Sequence, residues 1–429
     1  MDSENSSAPK QHANDCSANR VFAEQVVREL REAGFESLWA GGCVRDLLLG
    51  NEPHDYDVAT SATPEQVRRL FGRRRTIAVG AAFGVMIVLP DRNDWSDGIP
   101  EQIEVATFRT DSTYSDGRRP DAVQYSTPEQ DAQRRDFTIN GMFFDPLADR
   151  VIDYVGGEAD LGRGVVRAIG NAADRIAEDK LRMLRAVRFA ARFSFALEER
   201  TAAAVAASAA DVHVVSGERI ATEVTKTLQT ERYAWAIEQW HELRLLREIL
   251  PELADSWHRW PYALKVLAAL ESQDWRCRLA AVMVAAELNR EVVGALRERW
   301  KLSNLDTNCL EEILASISPL VDADGLPWSH VQPYVGSEQR ELNLAVASAV
   351  AQVESRHAGI EVVRRKIDSG QELSPQPWVM GQDLIDLGLR PGPRFKELLG
   401  AAWRMQLDGE LPSRDAALEW VGQTAQDSL

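Results

Sequence analysis

No stretch of the 429-residue chain stays apolar long enough to cross a membrane as a helix. Nor do its first residues carry the apolar core of a secretion signal; 1–18 are polar and read as disordered. Cysteine is sparse, and Cys16, Cys43, Cys277 and Cys309 form neither a CxxC pair nor a metal-ligand spacing. Free thiols in a reducing, cytoplasmic setting are the expectation. Positive charge is in the minority: 49 basic against 66 acidic side chains leave a net charge of −17, which argues against indiscriminate nucleic-acid binding. There is no internal repeat and no heptad run.

What the chain does have is arginine in clusters: Arg68-Arg69, Arg73-Arg74-Arg75, Arg118-Arg119, Arg134-Arg135, and several from Arg175 through Arg192. The acidic residues are spread more widely. That pattern allows a basic groove on an acidic body, with salt-sensitive binding of nucleic acid.

The densest chemistry lies in 38–57. An apolar run, Leu38 to Ala40, reads as a buried strand. Gly41 and Gly42 follow and let backbone approach a ligand closely. Val44 to Leu49 reads as a short helix that Gly50 can stop, and the chain returns as Asp55-Tyr56-Asp57-Val58. Strand alternation puts Asp55 and Asp57 on one face, with Tyr56 and Val58 in the core. Neighbouring carboxylates repel unless a cation lies between them, so the stretch reads as a divalent-metal site beside a glycine-lined phosphate cradle; the plain alternative, commoner for the motif taken alone, is an exposed turn.

Around this stretch, helical spacing marks 19–33, and Thr63-Pro64-Glu65-Gln66 and Thr127-Pro128-Glu129-Gln130 are helix starts. Strands are predicted near 76–79, 84–89 and 103–108. Polar loops are predicted at 90–100 and 109–122, the second of them mobile. On its strand, Glu104 is either a third acidic group of the site or a solvated side chain. Beyond Asp174 the periodicity is almost wholly helical. Five segments result: a disordered 1–18, an α/β part at 19–160, and helical blocks at 161–245, 246–370 and 371–429.

Two further motifs bear on specificity. In Arg134-Arg135-Asp136-Phe137-Thr138-Ile139-Asn140, a carboxylate can accept from ribose hydroxyls while an arginine holds phosphate; the plain alternative is a strand's exposed edge. In Glu178-Asp179-Lys180-Leu181-Arg182-Met183-Leu184-Arg185, Asp179 and Arg182 sit at i and i+3 of a predicted helix and share a face. They form either a surface ion pair or a base reader. Cytosine and adenine each present an amino donor beside a ring-nitrogen acceptor, which a carboxylate next to a guanidinium matches. Uracil and guanine present the opposite order and would leave buried groups unpaired.

The Gly-Gly plus Asp-Tyr-Asp arrangement resembles the nucleotidyltransferase superfamily that includes DNA polymerase β. In those enzymes two magnesium ions about 3.5–4 Å apart clamp the attacking oxygen and the triphosphate. With the two later motifs in the same order, 38 to about 195 resembles the bacterial class II tRNA nucleotidyltransferase and poly(A) polymerase family. The resemblance implies an α+β fold: a polymerase-β-like head, then all-helical neck, body and tail. It implies Mg2+ held by Asp55 and Asp57, with Gly41, Gly42 and Arg45 toward the phosphates. Arg135, Asp136, Asn140 and Arg185 would contact the nucleotide, and Asp179 and Arg182 would read the base. The 109–122 stretch resembles the family's flexible loop. The implied reaction is template-independent addition of C and A from CTP and ATP to the 3′ end of tRNA; the alternatives are poly(A) polymerase or addition of the terminal A alone. Residues 258–286 resemble the helices of a phosphohydrolase (HD) domain, but Trp260-Pro261-Tyr262-Ala263 and Val282-Met283-Val284-Ala285 lack its ligands. No such activity is expected.

Overall fold

The computed structural model describes residues 18–80, 84–91, 100–111, 123–370 and 372–426, and the chain divides into two compact units at 215/216. The expected 161–245 block spans that division. The N-terminal stretch expected to be disordered lies outside the described residues but for Ala18, as do 92–99 of the first polar loop and 112–122 of the second.

In the first unit, helix α1 (Ala18–Glu32) turns Phe22, Val26, Val27 and Leu30 inward. Strand β1 (Ser37–Ala40) runs into helix α2 (Gly42–Leu48), and β2 (Asp57–Thr60) returns beside β1. Tyr56 and Val58 are buried, as the alternation requires, and Tyr56 meets Trp39 edge-on at 4.8 Å. Helix α3 (Pro64–Phe71) starts on a capping box between Thr63 and Gln66. Then come β3 (Thr76–Gly80), β4 (Val85–Val88) and β5 (Ile103–Thr107).

Strand β6 (Arg109–Asp111) pairs antiparallel with β7 (Val123–Tyr125). The expected loop at 109–122 therefore begins as a strand. Its first residue is fixed from α4 (Pro128–Gln133) and the turn after it: Asp131 accepts from the Arg109 amide, and Arg134 Nε donates to the Arg109 carbonyl. After β8 (Phe143–Asp145) and β9 (Arg150–Ile152), the seven-stranded sheet has the order β3-β4-β5-β2-β1-β8-β9. Within it β2 and β5 are parallel and every other neighbouring pair is antiparallel.

Helix α5 (Gly157–Arg163) leads to β10 (Val165–Val166). The next segment corrects the single helix expected through Asp179 and Arg182. Helix α6 (Ala172–Glu178) stops at Asp179, which is extended at φ −142°, and α7 (Arg182–Phe193) starts afresh. The break is local chemistry: the Asp179 carboxylate accepts from the Leu181 amide at 3.0 Å, the turn that aspartate favours over helix interior. Strand β11 (Ala196–Leu197) pairs with β10, a short departure from the helical pattern, and α8 (Glu199–Ser208) follows.

The second unit runs from helix Gly217–Leu228 to helix Arg414–Gln426 and has no strand among its described residues. Glycine at 217 is required by packing, since a Cβ there would meet the Arg299 backbone. No helix of the described residues is long and apolar enough to cross a membrane.

Candidate nucleotide site

The sheet, the turn after α4 and the start of α7 converge on a cavity of about 380 Å³ in the first unit. It gathers Gly41, Gly42, Arg45, Asp57, Arg135, Asp136, Asn140, Asp179, Arg182 and Arg185. Of the residues expected at the site, Asp55 and Glu104 do not line it. Arg134 and Phe189 join it.

At the floor, Gly41 takes φ +77° and ψ −123°, a conformation L side chains rarely adopt. A Cβ there would also stand 2.9 Å from Arg135 Nη1. Gly42 is an ordinary first residue of α2, and its added Cβ would make only normal contact.

The walls are a chain of four polar side chains. Arg45 Nη1 donates to Asn140 Oδ1 at 2.6 Å, and Asn140 Nδ2 donates to Asp136 Oδ1 at 3.1 Å. Asp136 Oδ2 accepts from Arg185 Nε and Nη2 at 2.9 and 2.6 Å, and Oδ1 also accepts from the Phe137 amide. With four donors on its two oxygens, Asp136 turns its lone pairs to protein rather than toward a ribose. Burial opposes its ionisation, but Arg185, Asn140 and Arg182 together hold the carboxyl down at about 2. Arg45 is buried, and its guanidinium lies 4.4 Å from the Phe193 ring centre.

A second hub is Asp131, with 1% of its side chain exposed. One oxygen accepts from Arg134 at 2.9 and 2.7 Å, the other from Arg135 at 3.1 and 3.0 Å. These arginines keep its carboxyl below the usual range despite burial. Sequence reasoning missed it, although Asp-x-x-Arg-Arg at a helix end is the i, i+3, i+4 spacing of such a pair. Phe189 was missed too; it lies four residues beyond Arg185 and seven beyond Arg182, on their face of α7.

The helix break does not part Asp179 from Arg182, since both line the cavity. Arg182 Nη1 donates to the Arg175 carbonyl and to Glu178 Oε2, and Nη2 donates to the Arg134 carbonyl. Three of five guanidinium hydrogens are thereby fixed to protein, leaving the Nε hydrogen and one on Nη2.

The acidic cluster has a different character. Asp57 begins β2, pairs in register with Glu104 on β5, and is exposed along one side, as is Glu104. Asp55 precedes the strand in a bend and is also exposed. Protein crowded around the Asp57 carboxyl, then the charge of Glu104, push it up to about 6; Asp55 adds to the rise and Arg135 opposes it. Among the described residues no group of three or more His, Cys, Asp or Glu is drawn together tightly enough to hold a metal ion. Asp57 nevertheless has the chemistry of a hard-cation ligand: an oxygen donor in a surplus of negative charge.

A family model described as "Poly A polymerase head domain" matches residues 38–167, and one described as "Probable RNA and SrmB- binding site of polymerase A" matches 194–256. The CCA-adding enzyme of Lactobacillus delbrueckii subsp. bulgaricus is 33% identical over 398 residues, spanning 92% of this chain and 96% of that one. The chain belongs to the CCA-adding enzyme family. Another member, from Geobacillus kaustophilus, is 32% identical over 92% of this chain and 95% of its own. The crystal structure of the Bacillus stearothermophilus CCA-adding enzyme in complex with CTP superposes with a TM-score of 0.76 at 29% identity, covering 95% of this chain and 97% of that one. The Thermotoga maritima enzyme complexed with tRNA shares the fold, with a TM-score of 0.62 at 22% identity. An α+β head followed by helical domains is thus the fold of this nucleotidyltransferase family.

Proposed function

We propose that this chain adds C and A to the 3′ end of tRNA from CTP and ATP, without a template and with release of pyrophosphate. The observation that carries the reading is the single cavity that brings Gly41, Asp57, Arg185 and the Asp179–Arg182 pair together, in a chain of the CCA-adding family.

Each part has a task. Gly41 and Gly42 leave room for the triphosphate against backbone, with Arg135 beside them. Asp136 holds Arg185 and Asn140 in place, and Asn140 holds Arg45, so the cationic wall is set before the nucleotide arrives. The two unfixed hydrogens of Arg182 and the Asp179 carboxylate face the base edge. They satisfy a ring acceptor beside an amino donor, which selects C and A over U and G.

Asp57, with Asp55 and Glu104 around it, would hold Mg2+. Bound there, the metal would supply charge neutralisation for the α-phosphate and a more nucleophilic 3′ oxygen. In the transfer a bond forms from the RNA 3′ oxygen to the α-phosphorus as the bond to the bridging oxygen of pyrophosphate breaks. The hydroxyl proton leaves to a carboxylate or to water. The protein contributes position and charge.

The test gives purified protein tRNAs ending before CCA, after C or after CC, with CTP and ATP singly and together. Stepwise completion to CCA is expected. Long A tails on unrelated RNA would make it a poly(A) polymerase, and addition of only the last A would make it an A-adding enzyme. Asp55→Ala with Asp57→Ala should abolish transfer but spare tRNA affinity; retained transfer would overturn the metal assignment. Arg182→Ala should let UTP and GTP compete, and unchanged discrimination would leave Arg182 as a structural ion pair.

A further inference from the structure

Asp57 has a second recess on its other side, of about 250 Å³. It shares Asp57, Arg134 and Arg135 with the nucleotide cavity, and its floor is the sheet itself: Ala59, Val85, Glu104 and Ala106. The register shows where that floor leads. Asp57 pairs with Glu104, Glu104 with Ile87, and Ile87 with Ile77, so one row crosses β2, β5, β4 and β3. Directly paired residues point to the same face of a sheet. That face is open toward the edge, where Ile77 is 46% exposed on the outermost strand, β3, just before a register shift between Ile77 and Gly80.

Arginines stand where this row ends. Arg73 and Arg74 lie just before Thr76, the first residue of β3, and therefore at the same end of the sheet as Asp57. Arg68 and Arg69 are in the last turn of α3, tied to the start of β3 by the bond from Thr76 Oγ1 to the Gly72 carbonyl. All four are exposed, and none has an ion pair or side-chain hydrogen bond among the described residues. Favourable placement at a helix C-terminus accounts for Arg68 and Arg69 but not for Arg73 and Arg74, which lie beyond the helix. In a chain of net charge −17, four unpaired arginines at one sheet edge mark a surface for an anionic partner. Three strand spacings of about 4.8 Å put that edge about 14 Å from β2, a reach of a few nucleotides.

We propose that the recess beside Asp57 seats the 3′-terminal nucleoside of the RNA acceptor, and that the strand behind it crosses the open sheet face to a phosphate clamp of Arg73 and Arg74, assisted by Arg68 and Arg69. This rests on the transferase reading above. The two recesses then flank Asp57 with attacking hydroxyl on one side and nucleotide on the other. The apolar pair Ile87 and Ile77 lies under sugars and bases, and the arginines take the phosphates.

The experiment measures binding of a tRNA lacking CCA to the full-length protein across a salt series, apart from any transfer. The Arg73→Glu, Arg74→Glu double variant should bind it roughly tenfold more weakly near 0.1 M salt. Replacing Arg68, Arg69, Arg73 and Arg74 together by glutamine should flatten the slope of log K against log salt by up to about 3, near 0.7 for each lost single-strand phosphate contact. Ile77→Glu, at an exposed position of the row, should weaken binding in the same direction. CTP binding without RNA should stay at the wild-type level, which shows the head intact. Wild-type tRNA affinity and slope in the arginine variants would overturn the clamp. A wild-type protein that binds tRNA through these arginines but transfers nothing would refute the transferase reading alone.

Discussion

Asp136→Asn isolates the member of the cavity wall that four donors converge on. Asparagine can keep the acceptors for the Phe137 amide and Asn140, but its amino group would then face Arg185 Nε and Nη2, donor against donor. The magnitude can be reached in two ways. The carboxyl's fall from 3.8 to about 2 on folding corresponds to about 2–3 kcal/mol. Loss of charged hydrogen bonds to Arg185 gives about 2–3 kcal/mol, moderated by water, because the Arg185 side chain is 31% exposed. The two agree, and the variant should lose about 2–3 kcal/mol at pH 7. The pH dependence has a fixed sign. A carboxyl depressed by folding stabilises the protein above its unfolded value near 4, and that contribution is lost as pH falls toward 2. The gap between wild type and variant should thus be about 1 kcal/mol smaller at pH 3 than at pH 7. Urea unfolding of the full chain at both pH values reads it, as a midpoint shift of about 1 M at neutral pH. Equal midpoints at pH 7, or a gap that does not narrow in acid, would refute the reasoning.

Gly41→Ala should cost about 1–3 kcal/mol from its backbone conformation and displace the end of Arg135, so that calorimetry finds CTP affinity lowered at least tenfold. Asp131→Asn leaves two partly buried arginines sharing a neutral partner; thermal unfolding should show a loss of about 3–5 kcal/mol, clearly more than Arg134→Ala alone. Burial pushes Cys43 up to about 12 and Cys309 up to about 11, and Cys277 is buried and raised as well. Iodoacetamide at pH 8 should leave all three unlabelled in the native protein and label them after denaturation, as peptide mass spectrometry can verify.

The parts of this fold that could be read from the chain alone are those encoded over short distances. The strand–glycine–helix–strand course of 37–60 follows from alternation and from Gly41, and the helix starts at Thr63 and Thr127 follow from caps that need only four residues. The structure gathers most of the motif residues in one cavity, with Asp55 and Glu104 outside it, but their partners were not legible. Arg45 reaches Asn140 across 95 positions and Asp136 reaches Arg185 across 49; no local periodicity carries such pairings. The same limit explains two of the misread segments; a third is Asp55, expected in the strand with Asp57 but standing in a bend before it. The break at Asp179 is a competition between helix and a side-chain turn, which spacing alone leaves undecided. The start of the 109–122 stretch is a strand because it pairs with 123–125 beyond the stretch, with Asp131 and Arg134 holding the Arg109 backbone.

The Arg45–Asn140–Asp136–Arg185 chain also sets a timetable. A ribosome adds about 5–20 residues per second, and all seven strands of the main sheet are made by Ile152, before α7 exists. The emerging head could close its sheet while its cavity still lacked Arg182, Arg185 and Phe189. In that interval Asp136, with no Arg185, would keep only Asn140 and the Phe137 amide, both on Oδ1, and Arg45 would have no Phe193 to lie on. The complete cavity therefore waits for α7, and a chain released before it would own the sheet and its acidic residues without Arg182, Arg185 and Phe189.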